Sequence, residues 1–208
     1  MLEIHKIETL GALDGPGLRT VIFLQGCPMR CSYCHNADTW FPGDGTRFEV
    51  DALVKTIMRY RSYTRKNGGV TFSGGEPLMQ SKALLPLIRR LKEKGLHIAL
   101  DTSGCLFDDD VKAVLKAVDL VILDVKANTE KAFTEITGHS MHLTIAVLEH
   151  LKETEKPYWI RQVALKENDP DKNERIKEAL DHLTASPYRQ KLEILKQHTM
   201  GDTKRVAP

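Results

Sequence analysis

Six short apolar runs, rich in β-branched residues, are spaced along the whole chain and constrain its fold more than any other feature. Runs that are apolar throughout are typical of strands in parallel sheets, because such strands are buried on both faces. The runs are Thr20–Gln25, Val70–Ser73, His97–Asp101, Leu120–Asp124, Tyr158–Val163 and Leu192–Leu195. We therefore expect a strand at each of these positions.

Apolar residues between these runs recur at the three- and four-residue spacing of amphipathic helices. The predicted helices are Val50–Met58, Leu84–Leu91, Asp109–Lys116, Glu130–Ile136, Leu143–Thr154 and Lys172–Thr184. Gly95 suits a left-handed cap at the end of the second helix. Pro86, inside the same helix, indicates either a kink or a later start.

Strands that alternate with helices predict an α/β fold with right-handed crossovers between parallel strands. Six such units are fewer than the eight of a complete barrel, so we expect a partial (β/α)6 barrel with a mostly parallel six-stranded sheet. The sequence contains no linker-like or low-complexity stretch, and 208 residues fit one domain, which we expect to span residues 1–208.

Composition excludes several classes of function. Lys plus Arg number 30 and Asp plus Glu 28, so the net charge of +2 gives no electrostatic reason to expect nucleic acid binding. Neither a secretion signal nor an uncharged run long enough to span a bilayer is present, so we expect a cytoplasmic protein that does not bind membranes. Thiols stay reduced there, and the four cysteines point to metal binding or catalysis.

Polar and reactive residues follow each predicted strand where it ends. Ligands of α/β folds bind at the carboxyl ends of the strands. The segments found there are Gly26–Asn36 with three cysteines, Ser73–Pro77, Asp101–Gly104, Asp124–Lys126, Arg161 and His198. Because these ends meet at one rim of the sheet, we predict a single site at that rim.

Cys27, Cys31 and Cys34 follow the spacing C-x3-C-x2-C. A 4Fe–4S cube normally takes four thiolates, one for each iron, so three local cysteines would leave one iron open to a small molecule. The alternative is a zinc site completed by His35, although structural zinc usually takes its ligands in two separated pairs. Cys105 is remote in sequence and is interpreted as a small, semi-buried thiol.

The segment "DGPGLRTVIFLQGCPMRCSYCHN" resembles the glycyl-radical-enzyme activating enzymes of the radical S-adenosylmethionine superfamily. "TFSGGEP", "LDTSG", "LVILDVK" and "WIRQV" follow in the order of that family. The family shows "LPYH" where this chain reads "LKQH" at Leu195–His198, which puts the placement of His198 in question.

The resemblance implies an oxidoreductase of anaerobic metabolism. Such an enzyme reductively cleaves S-adenosylmethionine at a 4Fe–4S cluster and abstracts hydrogen from a glycine of a glycyl radical enzyme, here pyruvate formate-lyase or a relative. It also implies flavodoxin or ferredoxin as the electron donor, and we expect a monomer. Two alternatives are an activase of anaerobic ribonucleotide reductase and a non-enzymatic zinc-binding module.

The resemblance also implies roles for individual residues. Cys27, Cys31 and Cys34 hold the cluster. The residues expected to contact S-adenosylmethionine are Tyr33, His35, Gly74, Gly75, Glu76, Asp124, Val125, Lys126 and His198. Asp101, Thr102 and the Ile122 carbonyl are expected to bind a monovalent cation, and Asp14 and Arg161 to hold the partner's glycine-bearing loop.

Some of these residues also have purely structural interpretations. Asp101 could cap the following helix, the glycine pair could form a plain turn, and Lys126 could simply reach solvent. Arg161 and Asp14 could belong to ion pairs or to the charged surface.

Overall fold

A computed structural model describes residues 1–64, 66–164 and 170–197 of the chain. Its strands are β1 (Leu2–Gly11), β2 (Arg19–Leu24), β3 (Thr46–Phe48), β4 (Gly69–Gly74), β5 (Ile98–Thr102), β6 (Leu120–Asp124), β7 (Tyr158–Ala164) and β8 (Arg189–Lys196). Its helices are α1 (Val50–Met58), α2 (Arg61–Thr64), α3 (Ser81–Glu93), α4 (Asp109–Ala117), α5 (Glu130–Thr137), α6 (His142–Glu153) and α7 (Pro170–Thr184). Short 3₁₀ turns lie at Ala37–Thr39 and Pro77–Gln80.

The strands form one sheet in the order β3-β1-β2-β4-β5-β6-β7-β8. The strands predicted from the sequence are β2 and β4 to β8, and they pair in parallel throughout. β1 and β3 add an antiparallel edge beside β2. The α/β class and the mostly parallel partial barrel are confirmed, but the sheet has eight strands where six were expected.

β1 escaped the sequence prediction because it is not an apolar run. Leu2 and Ile4 are buried, whereas Glu3 and His5, which alternate with them, are polar and only partly buried. This alternation is typical of an antiparallel strand with only one face against the core. β3 is three residues long and mostly exposed, so it carries little signal of its own.

The predicted helices are α1 and α3 to α7, with ends close to those expected. α3 begins at Ser81 and contains Pro86, so the alternative of a later start is wrong. Gly95 has the predicted left-handed conformation, with φ of +74°. Its N–H donates to the Lys92 carbonyl at 2.8 Å and ends the helix. Within the described ranges, no helix is both long and apolar enough to cross a membrane.

The two faces of the sheet differ in what they contact. Because successive side chains of a strand point to opposite faces, each strand contributes to both. We call the face that packs against the helices the outer face. Its fully buried strand residues include Ile22, Phe72, Leu100, Leu123 and Ile160. The opposite, inner face is more polar and carries Arg19, Thr71, Ser73, Asp101, Asp124, Arg161 and Glu193.

Candidate active site

A cavity of about 470 Å³ opens at the carboxyl ends of the parallel strands. The predicted site residues that line it are Asp14, Cys27, Cys31, Tyr33, Cys34, His35, Gly74, Gly75, Asp101, Thr102, Asp124, Lys126 and Arg161. Three others, Glu76, Ile122 and Val125, do not line it. His198 lies outside the described residues. The structure thus brings most of the predicted set to one rim, from segments far apart in sequence.

The cysteine-bearing loop is held by backbone hydrogen bonds on two sides. The N–H groups of Arg30 and Ser32 donate to the carbonyls of Thr137 and Ile136, at 3.2 and 2.9 Å. These carbonyls belong to the last turn of α5, which would otherwise lack partners. On the other side, the Cys27 N–H donates to the Trp40 carbonyl at 3.0 Å. The positions of the thiols are therefore fixed by main-chain contacts.

All three thiols of the loop are free and face the cavity. Burial raises the pKa of Cys27 to about 12, with a further contribution from the nearby Glu76 carboxylate. Burial likewise raises the pKa of Cys31 to about 11. Buried thiols with such pKa values stay protonated at neutral pH unless a positive metal centre compensates the thiolate charge. The donor set suits a metal centre rather than a free nucleophile.

The arrangement bears on the choice between a cluster and zinc. Among the described residues, no group of three or more His, Cys, Asp or Glu side chains is placed to hold a single metal ion. The thiolates of a 4Fe–4S cube bind separate irons, so they need not converge on one point. Three free cysteines that line one cavity therefore fit a cube better than a single zinc ion.

Two buried polar atoms on the cavity wall lack hydrogen-bond partners within the described part of the chain. They are the Tyr33 hydroxyl and the Oδ1 atom of Asp124. Buried polar groups in native proteins are nearly always paired, and an orphan often marks where a ligand binds. These atoms fit a polar nucleoside such as S-adenosylmethionine.

Asp124 and Lys126 form an ion pair beside Tyr33. The Lys126 ammonium lies 2.5 Å from Asp124 Oδ2 and 5.8 Å from the centre of the Tyr33 ring. Burial alone would lower the pKa of Lys126, but the charge of Asp124, the nearby Tyr33 and Cys31, and the hydrogen bond to Asp124 together outweigh it, and the pKa lies well above the usual value. Only 16% of the Lys126 side chain is exposed, so the interpretation as a solvent-reaching lysine is wrong.

Gly74 and Gly75 are required by the protein's own packing. A Cβ at Gly74 would lie 2.4 Å from the Leu24 nitrogen, and one at Gly75 would lie 2.2 Å from the Gly26 oxygen. Gly74 also has φ of +111°, a conformation that favours glycine. The glycine pair lets the end of β4 lie directly against the start of the cysteine loop, and its backbone forms part of the cavity wall.

Glu76 lies behind the cavity wall, where its side chain joins two loops. Its carboxylate accepts hydrogen bonds from the Thr102 hydroxyl at 2.7 Å and the Ser103 hydroxyl at 2.6 Å. It also accepts the N–H of Leu78, which caps the 3₁₀ turn that follows. These hydrogen bonds give the carboxylate a structural role, and its expected contact with S-adenosylmethionine stays a prediction. No sequence pattern pointed to Thr102 and Ser103 as partners, because they lie 26 and 27 residues away.

Asp101 lies on the inner face between Ser73 and Arg161. It accepts a hydrogen bond from the Ser73 hydroxyl at 3.1 Å, and Arg161 Nη1 lies 3.8 Å away. Burial raises its pKa to about 6 in spite of the opposing Arg161 charge. Asp101 does not cap the next helix, because the cap of α4 is Asp108. The neighbouring Ile122 side chain packs in a small apolar cluster with Ala99 and Leu120.

Arg161 is paired, as its structural interpretation proposed, and its main partner was missed. Its Nε donates to Glu193 at 3.0 Å, and its Nη2 donates to the Leu13 carbonyl beside Asp14. Glu193 lies directly across from Arg161 in the β7–β8 register. A carboxylate inside a predicted apolar strand was the available signal, because charge there needs a partner.

The chain contains a recognised iron–sulfur module. Residues 13–144 match the family described as "4Fe-4S single cluster domain". Solved structures of SuiB from Streptococcus suis share the fold. One is bound to the precursor peptide SuiA (TM-score 0.71, 16% identity, 86% of this chain and 39% of that chain). Another is bound to S-adenosylmethionine (TM-score 0.65, 15% identity, 83% and 38%). The fold and site define a radical S-adenosylmethionine protein whose cofactors are a 4Fe–4S cluster and S-adenosylmethionine.

A pyruvate formate-lyase-activating enzyme of Clostridium pasteurianum is 38% identical over 205 residues, which cover 98% of this chain and 85% of the relative. That of Staphylococcus aureus strain USA300 is 38% identical over 207 residues, covering 96% and 82%. The chain belongs to the family of pyruvate formate-lyase-activating enzymes.

Proposed function

We propose that this protein activates a glycyl radical enzyme, most specifically pyruvate formate-lyase, by abstracting hydrogen from a glycine of that partner. The observation that carries the proposal is one cavity lined by three free thiols and by buried polar atoms that have no hydrogen-bond partner in the described part of the chain. The names of the relatives support pyruvate formate-lyase as the partner.

Cys27, Cys31 and Cys34 would hold three irons of the cluster and leave the fourth without a protein ligand. When bound and reduced, the cluster supplies the electron for reductive cleavage of S-adenosylmethionine. The protein's own part is to place that nucleoside and to exclude water. Burial of the thiol loop and of Lys126 serves the exclusion of water, because both face a cavity with largely buried walls.

The remaining cavity residues suit the two ends of S-adenosylmethionine. Tyr33 and His35 border the nucleoside, and the Tyr33 hydroxyl offers a free hydrogen-bonding group. Asp124 and Lys126 offer a charged pair with one unused carboxylate oxygen. The backbone at Gly74 and Gly75 also lines the cavity. Val125 is buried beside Asp124 and Lys126 in the chain, and His198 remains a predicted contact to the ribose.

A monovalent cation would bind beside Asp101, with the Ile122 carbonyl as a neighbour in the β5–β6 register. The Thr102 hydroxyl donates to Glu76 and accepts the N–H of Gly104, so Thr102 can offer only its second lone pair. A cation here would favour the ionised form of Asp101, whose burial otherwise favours the protonated form.

Asp14 and Arg161 border the cavity on the side of the β1–β2 loop and would hold the partner's glycine-bearing loop. The electron would come from flavodoxin or ferredoxin, and the protein would act as a cytoplasmic monomer. These statements extend the resemblance to its family.

The proposal is tested with anaerobically reconstituted protein. After reduction with dithionite, we expect one 5′-deoxyadenosine and one methionine for each glycyl radical formed on added pyruvate formate-lyase, measured by chromatography and electron paramagnetic resonance. A pyruvate formate-lyase variant with alanine at the radical-bearing glycine is the control. If a radical formed only on anaerobic ribonucleotide reductase, that enzyme and not pyruvate formate-lyase would be the partner. A protein that binds a cluster but never cleaves S-adenosylmethionine would overturn the proposal.

A further inference from the structure

The loop between β1 and β2 is held through three of its carbonyl groups. Arg161 donates to the Leu13 carbonyl, and the Thr71 hydroxyl donates to the Asp14 carbonyl at 2.6 Å. Arg19 Nη1 donates to the Pro16 carbonyl at 2.9 Å. The segment that contains Asp14 is therefore held in place by side chains of three different strands, β7, β4 and β2.

Arg19 is a completely buried cation whose hydrogen bonds go to neutral groups. Its Nε donates to the Thr71 hydroxyl at 2.5 Å, and its Nη2 donates to the Val70 carbonyl at 2.7 Å. Among the described residues, no carboxylate forms an ion pair with it at contact distance. Burying an arginine without a carboxylate is costly, so such a residue is retained for the geometry of its donors.

The two glycines of "DGPGLR" occupy positions in this loop that no other residue could take without a clash or backbone strain. Gly15 has φ of +127°, and a Cβ there would lie 3.0 Å from the Arg19 side chain. Gly17 has φ of +69°, and its Cβ would lie 1.4 Å from the Asn67 carbonyl oxygen. The loop thus packs closely against the Arg19 side chain and against Asn67, which precedes β4.

A short relay connects these two observations. Arg19 orients the Thr71 hydroxyl by occupying its acceptor side, so the single hydroxyl proton is directed to the Asp14 carbonyl. The Asp14 side chain then faces the cavity. We propose that Arg19 and Thr71 are positioning residues, which act through the Asp14 backbone to set where the partner's glycine-bearing loop docks. This inference rests on the proposed function, because it assigns Asp14 to partner binding.

The relay is tested by Thr71→Val, which removes the hydroxyl and keeps the shape of the side chain. Thr20→Val on the adjacent strand is a matched control, since Thr20 is equally buried and its hydroxyl has no partner within the described residues. Thr71→Ser restores the hydroxyl and should rescue.

We expect Thr71→Val to raise the partner concentration for half-maximal radical formation about 2- to 10-fold, the effect of one lost hydrogen bond. The rate of S-adenosylmethionine cleavage without partner should change less than that, and Thr20→Val should behave as the wild type. Hydrogen exchange of the 10–18 segment should speed up in Thr71→Val alone, a readout that needs no activity.

Two results would overturn the inference. One is equal behaviour of Thr71→Val and Thr20→Val in exchange and in partner dependence. The other is a loss of uncoupled cleavage that matches the loss of radical formation, since this would mark a general structural defect. Failure of the proposed function would appear differently, as a wild-type protein that forms no radical on any partner while the exchange difference persists.

Discussion

On the outer face of the sheet, Phe72 and Leu100 are completely buried against helices, whereas their chain neighbours Ser73 and Asp101 face the cavity on the inner face. One strand therefore supplies both an apolar core residue and a polar site residue, one position apart. Burial of apolar side chains stabilises the fold and requires no particular orientation of groups. Burial of the polar side chains on the inner face costs desolvation free energy, and their hydrogen bonds and ion pairs hold the charges in place. Because neighbouring residues of a strand point to opposite faces, the residues that stabilise the fold lie on one face and the residues of the site lie on the other.

The largest effect should come from the cavity side. We expect Cys31→Ala to abolish cluster assembly, because a cube cannot be held by the two remaining thiolates of the loop. Cys105 is buried and, unlike the three cysteines of the loop, does not line the cavity, so Cys105→Ala should keep the cluster. The measurement is iron content and visible absorbance after anaerobic reconstitution. Equal loss in both variants would mean that the wrong trio has been assigned.

A change on the outer face should affect stability instead. Phe72→Ala should lower the free energy of unfolding by about 3–5 kcal/mol, through lost transfer energy and a new cavity in the core. Urea unfolding measures this directly. The fraction that stays folded should still bind a cluster with wild-type absorbance. Loss of the cluster from the folded fraction would show that the outer face also determines cluster binding, contrary to the comparison.

Glu193→Gln tests the inner face with a smaller change. Arg161 is buried and would lose one of its two carboxylate partners, but it keeps Asp101 at 3.8 Å, so we expect a stability loss of about 1–3 kcal/mol. The larger consequence should be weaker binding of the partner enzyme, since Arg161 also fixes Leu13. Titration of radical formation against partner concentration checks this, with Glu178→Gln on the exposed side of α7 as the control.

The smallest effect should come from His97, which contacts Arg19 at the lower end of the inner face. Burial, aided by the charge of Arg19, lowers the pKa of His97, so the folded state prefers the neutral ring. Stability from this group is present above the unfolded pKa of about 6.5 and is lost as pH falls below it. We expect His97→Gln to reduce the loss of unfolding free energy that the wild type shows as the pH falls below about 6.5. As a control, substitution of the exposed His142 (His142→Gln) should leave the dependence of unfolding free energy on pH as in the wild type.

The sequence predicted those parts of the molecule that depend on local pattern. Apolar runs located the parallel strands, and the cysteine spacing located the metal loop. It could not predict the partners of Glu76 or Glu193, because these depend on which strands are neighbours and in what register. β1 was missed for a similar reason, since a one-sided edge strand lacks a continuous apolar run. Long-range register is set by packing of the whole sheet.

The sulfur-bearing loop rests on the last turn of α5 through main-chain bonds that involve no cysteine side chain. Its shape is therefore a property of the finished polypeptide. These bonds tie the backbone of the loop to α5 without using any sulfur atom. Replacing one of the cysteines by alanine should therefore remove a metal ligand and leave the path of the main chain in place.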